Sequence, residues 1–306
     1  LRLPLKPDGQ PAGAPRALTD LNQAVWASTA VGRVSELWTK TADGQPLHSF
    51  LVTPPGFDPA RRYPAVVLIH GGPQGAWEDG WHWRWNPQIY AGAGYVVLMP
   101  NVRGSDGYGQ RFCDEVSQDW GGRAYDDVMK AVDQLVGLPY VDKRRVAALG
   151  ASYGGYMVNW IAGHTDRFAA LVSHDGVYDL ASMQGETEEL WFPRWEFGGE
   201  PWQSDQYQRF SPSKYAAAFK TPMLVITNER DYRVPVGQGM QLFTALQLKK
   251  VPSKMLVFPD ENHWVLKPAN ARLWYATVLD WLHRYVGGAP ADAKALGTAH
   301  SYARPS

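Results

Sequence analysis

The sequence predicts an α/β fold with a mostly parallel central sheet, an antiparallel N-terminal start and helices on both faces. Three observations predict it. Short continuous apolar runs recur along the chain, as strands buried on both faces require. Stretches of helical character lie between them. A Gly-x-Ser-x-Gly sequence, Gly150-Ala151-Ser152-Tyr153-Gly154, falls where one such run hands over to one such helix.

Taken in order, residues 1 to about 30 are polar, and Pro4, Pro7, Pro11 and Pro15 exclude a long helix or central strand. The runs Val34–Thr39 and Pro46–Thr53 flank Asp43-Gly44, a hairpin signal. Buried strands are expected at Ala65–His70, Val96–Pro100, Val146–Gly150, Ala170–His174, Met223–Thr227 and Met255–Phe258. Helices are expected at Tyr125–Val136, Gly154–Gly163, Gly237–Leu248 and Ala271–Val286. Residues 179 to about 213 break this rhythm with acids and tryptophans of no clear period, including Glu186, Glu188, Glu189, Trp191, Trp195 and Trp202. That stretch follows a strand's carboxyl end, where open α/β sheets place ligands, so it reads as an insertion near the active site. The organisation expected is a linker over 1–30, one domain over 31–287, and a flexible Gly/Ala/Pro-rich tail over 288–306.

Bulk properties exclude several function classes. Thirty Lys and Arg balance thirty Asp and Glu, which removes the electrostatic case for a nucleic-acid backbone or an anionic membrane. No apolar run approaches the ~20 residues of a bilayer span. Cys113 is the only cysteine, so no internal disulfide can form, and without a catalytic motif around it a small packed residue is expected. The absence of cysteine pairs is compatible with cytoplasm or periplasm. With neither an initiator Met nor a signal peptide, the chain reads as a processed or excised piece. His48, His82, His164, His174, His283 and His300 lack metal-ligand spacing, so no metal and no cofactor are expected.

A serine hydroxyl attacks only when it is exposed to a base, and the Gly-x-Ser-x-Gly turn provides that exposure because flanking glycines remove Cβ clashes. Arg145–Leu149 supplies the preceding strand and Tyr156–Ala162 the following helix, which makes Ser152 the candidate nucleophile of an α/β-hydrolase fold. In that fold an acid and then a histidine follow on later strand ends. Asp231, after Met223–Thr227, and His263, after Met255–Phe258, stand in those places, with Asp260 and Glu229 as rival acids. His70-Gly71-Gly72-Pro73 closes an earlier strand. A tight turn would use the same residues, but in this fold that loop donates an N–H to the oxyanion, with Gly72 and Tyr153 as the candidate donors. Trp77, Trp81, Trp83 and Trp85 line an apolar pocket or simply pack.

These residues resemble the prolyl oligopeptidase family of serine peptidases. The resemblance rests on Gly150–Tyr156, His70–Pro73, Asn101-Val102-Arg103-Gly104-Ser105-Asp106-Gly107-Tyr108-Gly109 and Asp231-Tyr232-Arg233-Val234-Pro235, and it covers about residues 17 to 287. It implies Ser152, Asp231 and His263 as a triad acting on oligopeptide substrates. The His-Gly-Gly-Pro loop, the stretch Gly185–Trp195 and the ending Glu261–Leu266 look most like the dipeptidyl-peptidase V and acylaminoacyl-peptidase branch. That branch implies release of dipeptides from a free amino terminus; acylaminoacyl-peptidase or broad carboxylesterase activity and, more remotely, a non-catalytic binding module are the alternatives. Glu186, Glu188 or Glu189 is the candidate to meet a substrate ammonium group, although a solvated acidic loop is the favoured reading of the three, and Trp191 is a further candidate substrate-binding residue. The resemblance also implies a β-propeller elsewhere in the parent chain, a homo-oligomer as an open option, and a lean toward the periplasm.

Overall fold

The structure is a computed structural model that describes residues 1–82 and 84–291; Trp83 and the expected tail beyond 291, including His300, lie outside the described residues. The chain forms two compact units, Leu1–Val31 and Gly32 onward. In the first, every residue is exposed, and its structure is one short helix, α1 (Gln23–Ser28), with isolated bridges Arg2–Arg16 and Leu5–Pro11.

The second unit is built on eight strands: β1 (Val34–Lys40), β2 (Pro46–Val52), β3 (Tyr63–Ile69), β4 (Val96–Asn101), β5 (Val141–Ala151), β6 (Ala170–His174), β7 (Met223–Asn228) and β8 (Ser253–Phe258). They form one sheet in the order β1-β2-β4-β3-β5-β6-β7-β8. β1 pairs antiparallel with β2, and β2 antiparallel with β4; every later pairing is parallel. This is the α/β-hydrolase fold, with the antiparallel start and parallel remainder that the apolar runs predict.

The central strands show why continuous apolar runs were needed. Ala65, Val67 and Ile69 of β3 enter one core and Val66 and Leu68 the other, because successive side chains point to opposite faces. Helices α4 (Arg123–Gly137), α5 (Tyr153–His164) and α9 (Val236–Leu248) pack on the first core, and α2 (Pro87–Gly92) and α10 (Pro268–Val286) on the second. Asn86 caps α2 by accepting from Gln88 N (3.0 Å), and Pro87 starts it without needing an N–H. Neither α2 nor α3 (Gln110–Asp114) is foreseen from the sequence.

The stretch read as an aperiodic insertion folds as α6 (Leu180–Glu186), α7 (Trp191–Glu196), α8 (Gln206–Arg209) and a 3₁₀ helix (Pro212–Ala218). Segments of four to seven residues complete about one to two turns, too few for a 3.6-residue period to show. Among the described residues, no helix is long and apolar enough to cross a membrane.

Candidate active site

At the carboxyl end of β5 the chain turns sharply into α5, and Ser152 takes φ 59° and ψ −122° at the turn. A non-glycine residue holds such angles only where surrounding structure imposes them, at about 1–3 kcal/mol. The imposition is visible. Ser152 N donates to His174 O (3.0 Å), and Tyr156 N to Ser152 O (2.8 Å). A Cβ at Gly150 would lie 2.3 Å from Gly154 O, and one at Gly154 would lie 2.1 Å from Ile69 O. Only glycine lets the strand, the turn and the helix approach this closely.

Asp231 follows β7 and is 2% exposed. Its Oδ1 accepts the N–H groups of Arg233 and Val234, both at 2.9 Å, while Oδ2 lies 2.6 Å from His263 Nδ1. A carboxylate only accepts, so Nδ1 carries the proton and Nε2 is left as the basic nitrogen. The rival acids are occupied or remote. Asp260 bonds Lys267 and Asn270, and Glu229 is exposed with its amide on Phe258 O. The His263 loop is held by Glu261, whose carboxylate accepts from the N–H groups of Leu266 and Lys267 and from Asn270 Nδ2.

Ser152, Tyr153, Gly72 and His263 all line one cavity of about 760 Å³. Ser152 Oγ makes no hydrogen bond to His263 among the described residues; bonds of this kind commonly tighten only around substrate. The Gly72–Pro73 peptide is cis, and Gly72 has φ 131°. Its neighbour Gly71 is pressed on Ser152, since a Cβ there would lie 3.2 Å from Ser152 Cβ. Tyr153 is 2% exposed, and its hydroxyl donates to Trp120 O (2.8 Å). As the first residue of α5, its N–H has no intrahelical partner.

Three supports of the site had no role assigned from sequence: His70 and Arg103 lie within quoted motifs, and Glu196 lies outside all of them. Burial lowers the His70 pKa and keeps its ring neutral. His70 Nδ1–H therefore donates to Gly71 O (2.8 Å), and Nε2 accepts from Ser105 Oγ (2.8 Å). Arg103, 1% exposed, grips Asp127 through Nε (2.8 Å) and an Nη (2.7 Å) and anchors the loop that carries Ser105. Glu196, also 1% exposed, accepts from Trp120 Nε1 (2.7 Å), Gln74 Nε2 (3.0 Å) and Ser117 Oγ (3.1 Å), tying the end of α7 to the loop after β3.

The expected substrate acids separate. Glu189 and Trp191 line the cavity, and Glu189 Oε1 is 3.0 Å from Arg233 Nε. Glu186 and Glu188 do not: both are exposed, Glu186 at the end of α6 against Gly237 and Glu188 on the outer side of the link to α7. Of the three acids, the structure brings only Glu189 to the cavity wall. Trp77, Trp81 and Trp85 line the cavity, and Arg84 lies 3.5 Å over the ring of Trp264. Cys113 sits elsewhere, with partial burial and nearby Asp106 pushing its thiol up to about 11.

Comparison with known proteins places this geometry in context. A model of the prolyl oligopeptidase family matches residues 81–289. Dipeptidyl-peptidase 5 of Schizosaccharomyces pombe is 45% identical over 273 residues, covering 87% of this chain and 40% of that protein. The protein of the same name from Porphyromonas gingivalis is 43% identical over 280 residues, covering 90% and 41%. Among solved structures, Pyrococcus horikoshii acylaminoacyl peptidase superposes with a TM-score of 0.84 at 26% identity, covering 92% of this chain and 46% of that one. The chain spans about two fifths of the length of these curated relatives.

Proposed function

Because the chain belongs to the prolyl oligopeptidase family, we propose that it is a serine peptidase that releases dipeptides from the amino terminus of short peptides. The observation that carries the reading is the Asp231–His263 bond of 2.6 Å, set at a cavity whose wall also holds the strained Ser152. Similarity to proteins named dipeptidyl-peptidase 5 supports the choice of product.

In this reading Ser152 Oγ attacks the scissile carbonyl as its proton passes to His263 Nε2. Asp231 holds the ring in the required tautomer and stabilises the imidazolium that forms. Backbone N–H groups of Gly72 and Tyr153 take the negative charge of the tetrahedral intermediate. Collapse expels the amine, which takes the proton from His263. Water, activated by the same nitrogen, then cleaves the acyl-enzyme and frees the dipeptide. Glu189, fixed by Arg233, receives the substrate ammonium group, and Trp191 flanks it. In the parent protein a β-propeller restricts access to the cavity by size.

Matched chromogenic amides test the proposal, one set with free dipeptide amino termini and one N-acetylated, using this chain, the full-length parent and Ser152→Ala. Ser152-dependent cleavage of the free dipeptides is expected. Preference for acetylated amino acids would replace the reading with acylaminoacyl-peptidase activity. Turnover of esters alone, by both chain and parent, would make it a carboxylesterase. No Ser152-dependent turnover by either would leave a non-catalytic module.

A further inference from the structure

Four neighbouring parallel strands deliver polar side chains to one region of the sheet's carboxyl edge: Ser152 after β5, Asp175 after β6, Asp231 after β7 and His263 after β8. The reaction above uses three of them. Asp175 is 2% exposed and holds φ 44°, a left-handed conformation that costs a non-glycine residue energy. Its N–H donates to Ile226 O of β7 (2.9 Å). Its Oδ2 lies 2.9 Å from both Asn228 Nδ2 and His174 Nε2, while Oδ1 has no donor among the described residues. Asn228 Nδ2 also donates to Asn262 O (2.6 Å), so one amide joins Asp175 to the backbone preceding His263. One oxygen of Asp175, one of Asp231 and one ring nitrogen of His263 all fall within 4.8 Å of one another.

Two carboxylates this close and this buried do not both ionise. Asp231 accepts from His263 Nδ1–H and two backbone N–H groups, and so keeps the charge. Asp175 keeps the proton: burial first, and then the Asp231 charge, push its carboxyl well above the ordinary value. The remaining ionisable neighbours do not alter this. His174 on β6 is neutral, burial and the charge of Arg84 taking its imidazole down to about 3. Arg84, on the segment before α2, spreads its charge over both His174 and Asp175.

We propose that Asp175 is a positioning residue, a neutral carboxylic acid whose Oδ1–H donates to Asp231 and holds that carboxylate toward His263. The proposal rests on the reading of Asp231 and His263 as acid and base, and the experiment separates the two. The rate at which a fluorophosphonate labels Ser152 is followed against pH in wild type, Asp175→Asn and Asp175→Ala, because labelling reports the base without requiring peptide recognition. In Asp175→Ala the Asp231 charge loses a donor and favours imidazolium more strongly, so the acid limb of the profile should rise by about half to one pH unit. In Asp175→Asn an amide donor remains, and the limb should stay within about 0.3 units of wild type.

An ionised Asp175 would give the opposite sign, with the limb falling in both variants, and would overturn the proposal. So would an unmoved limb in Asp175→Ala, the result of a merely structural role. Should the alanine variant fail to fold, the infrared difference spectrum of wild type minus Asp175→Asn at neutral pH decides. It must contain the carbonyl stretch of a protonated carboxylic acid, and its absence overturns the proposal. Failure of wild type to label at Ser152 would instead sink the triad reading itself, and the infrared band would still decide the protonation of Asp175.

Discussion

Both oxygens of Asp231 are committed, Oδ1 to two backbone N–H groups and Oδ2 to His263 Nδ1. Replacing the acid by Asn keeps the shape but offers a donor to Nδ1, which selects the wrong tautomer. Asp231→Asn should therefore lower kcat by about 10⁴-fold with KM little changed; steady-state kinetics on the cleaved dipeptide amide check it. His174 makes a second prediction at this scale. Its folded pKa of about 3 lies below the unfolded value of 6.5. Its contribution to stability is therefore complete above pH 6.5 and lost as pH falls toward 3, since the unfolded chain takes the proton first. His174→Gln should gain on wild type by about 1.4 kcal/mol per pH unit on acidification through that window. Urea unfolding of both proteins at several pH values measures the difference. Asp175 works in the opposite sense: its raised pKa makes the folded state lose ground as pH rises above 3.8, because the unfolded chain ionises first. This buried neutral pair therefore partly cancels between pH 3.8 and 6.5.

The Ser152 turn depends on elements beyond the proposed triad. The loop after β4 reaches the loop after β3 through Ser105 and His70, and is itself tied down by Arg103 on Asp127 of α4. Ser105→Ala removes one hydrogen bond worth about 1 kcal/mol, so kcat should fall about fivefold while folding is retained. Arg103→Met is different in kind. It leaves Asp127, which is fully buried, without its partner, and should cost about 3–5 kcal/mol. Arg103→Met combined with Asp127→Leu should recover much of that loss, because the fully buried charge is then gone, while Asp43 is partly exposed and Glu115 keeps Arg111 and Arg123; thermal and urea unfolding of the single and double variants give the answer. At the turn itself, Gly150 and Gly154 allow β5, β3 and α5 to meet backbone to backbone. The motif is a packing device as well as the setting of the candidate nucleophile.

Across the Gly32-onward unit, the sheet is the shared wall of two apolar cores, and every central strand contributes alternate residues to both. Damage to either face should therefore weaken one cooperative transition. Leu68→Ala opens the core beneath α2 and α10 and should cost about 2–5 kcal/mol, with near-ultraviolet dichroism and tryptophan fluorescence shifting together. Separate transitions for the two probes would show that the faces unfold independently. The apolar runs make this architecture legible in sequence because burial on both faces of a parallel strand is a local demand, satisfied within five to seven residues. The short helices of residues 179–213 were not legible for the converse reason: each is held by contacts made elsewhere, as Glu196 is by Gln74, 122 positions away.

By itself the sequence determined the α/β-hydrolase architecture and which strand ends could carry a nucleophile, an acid and a base. Continuous apolar runs, glycine-flanked turns and residue order all act over short distances along the chain. Only the tertiary structure decided that Asp231, rather than Asp260 or Glu229, meets His263, that Glu189 alone of three acids faces the cavity, and that Asp175 joins the cluster. Each of those outcomes depends on which loops converge at the carboxyl edge of the sheet. A side chain's charge state and hydrogen-bond partners there are set by neighbours tens of residues away in sequence and a few ångströms away in space.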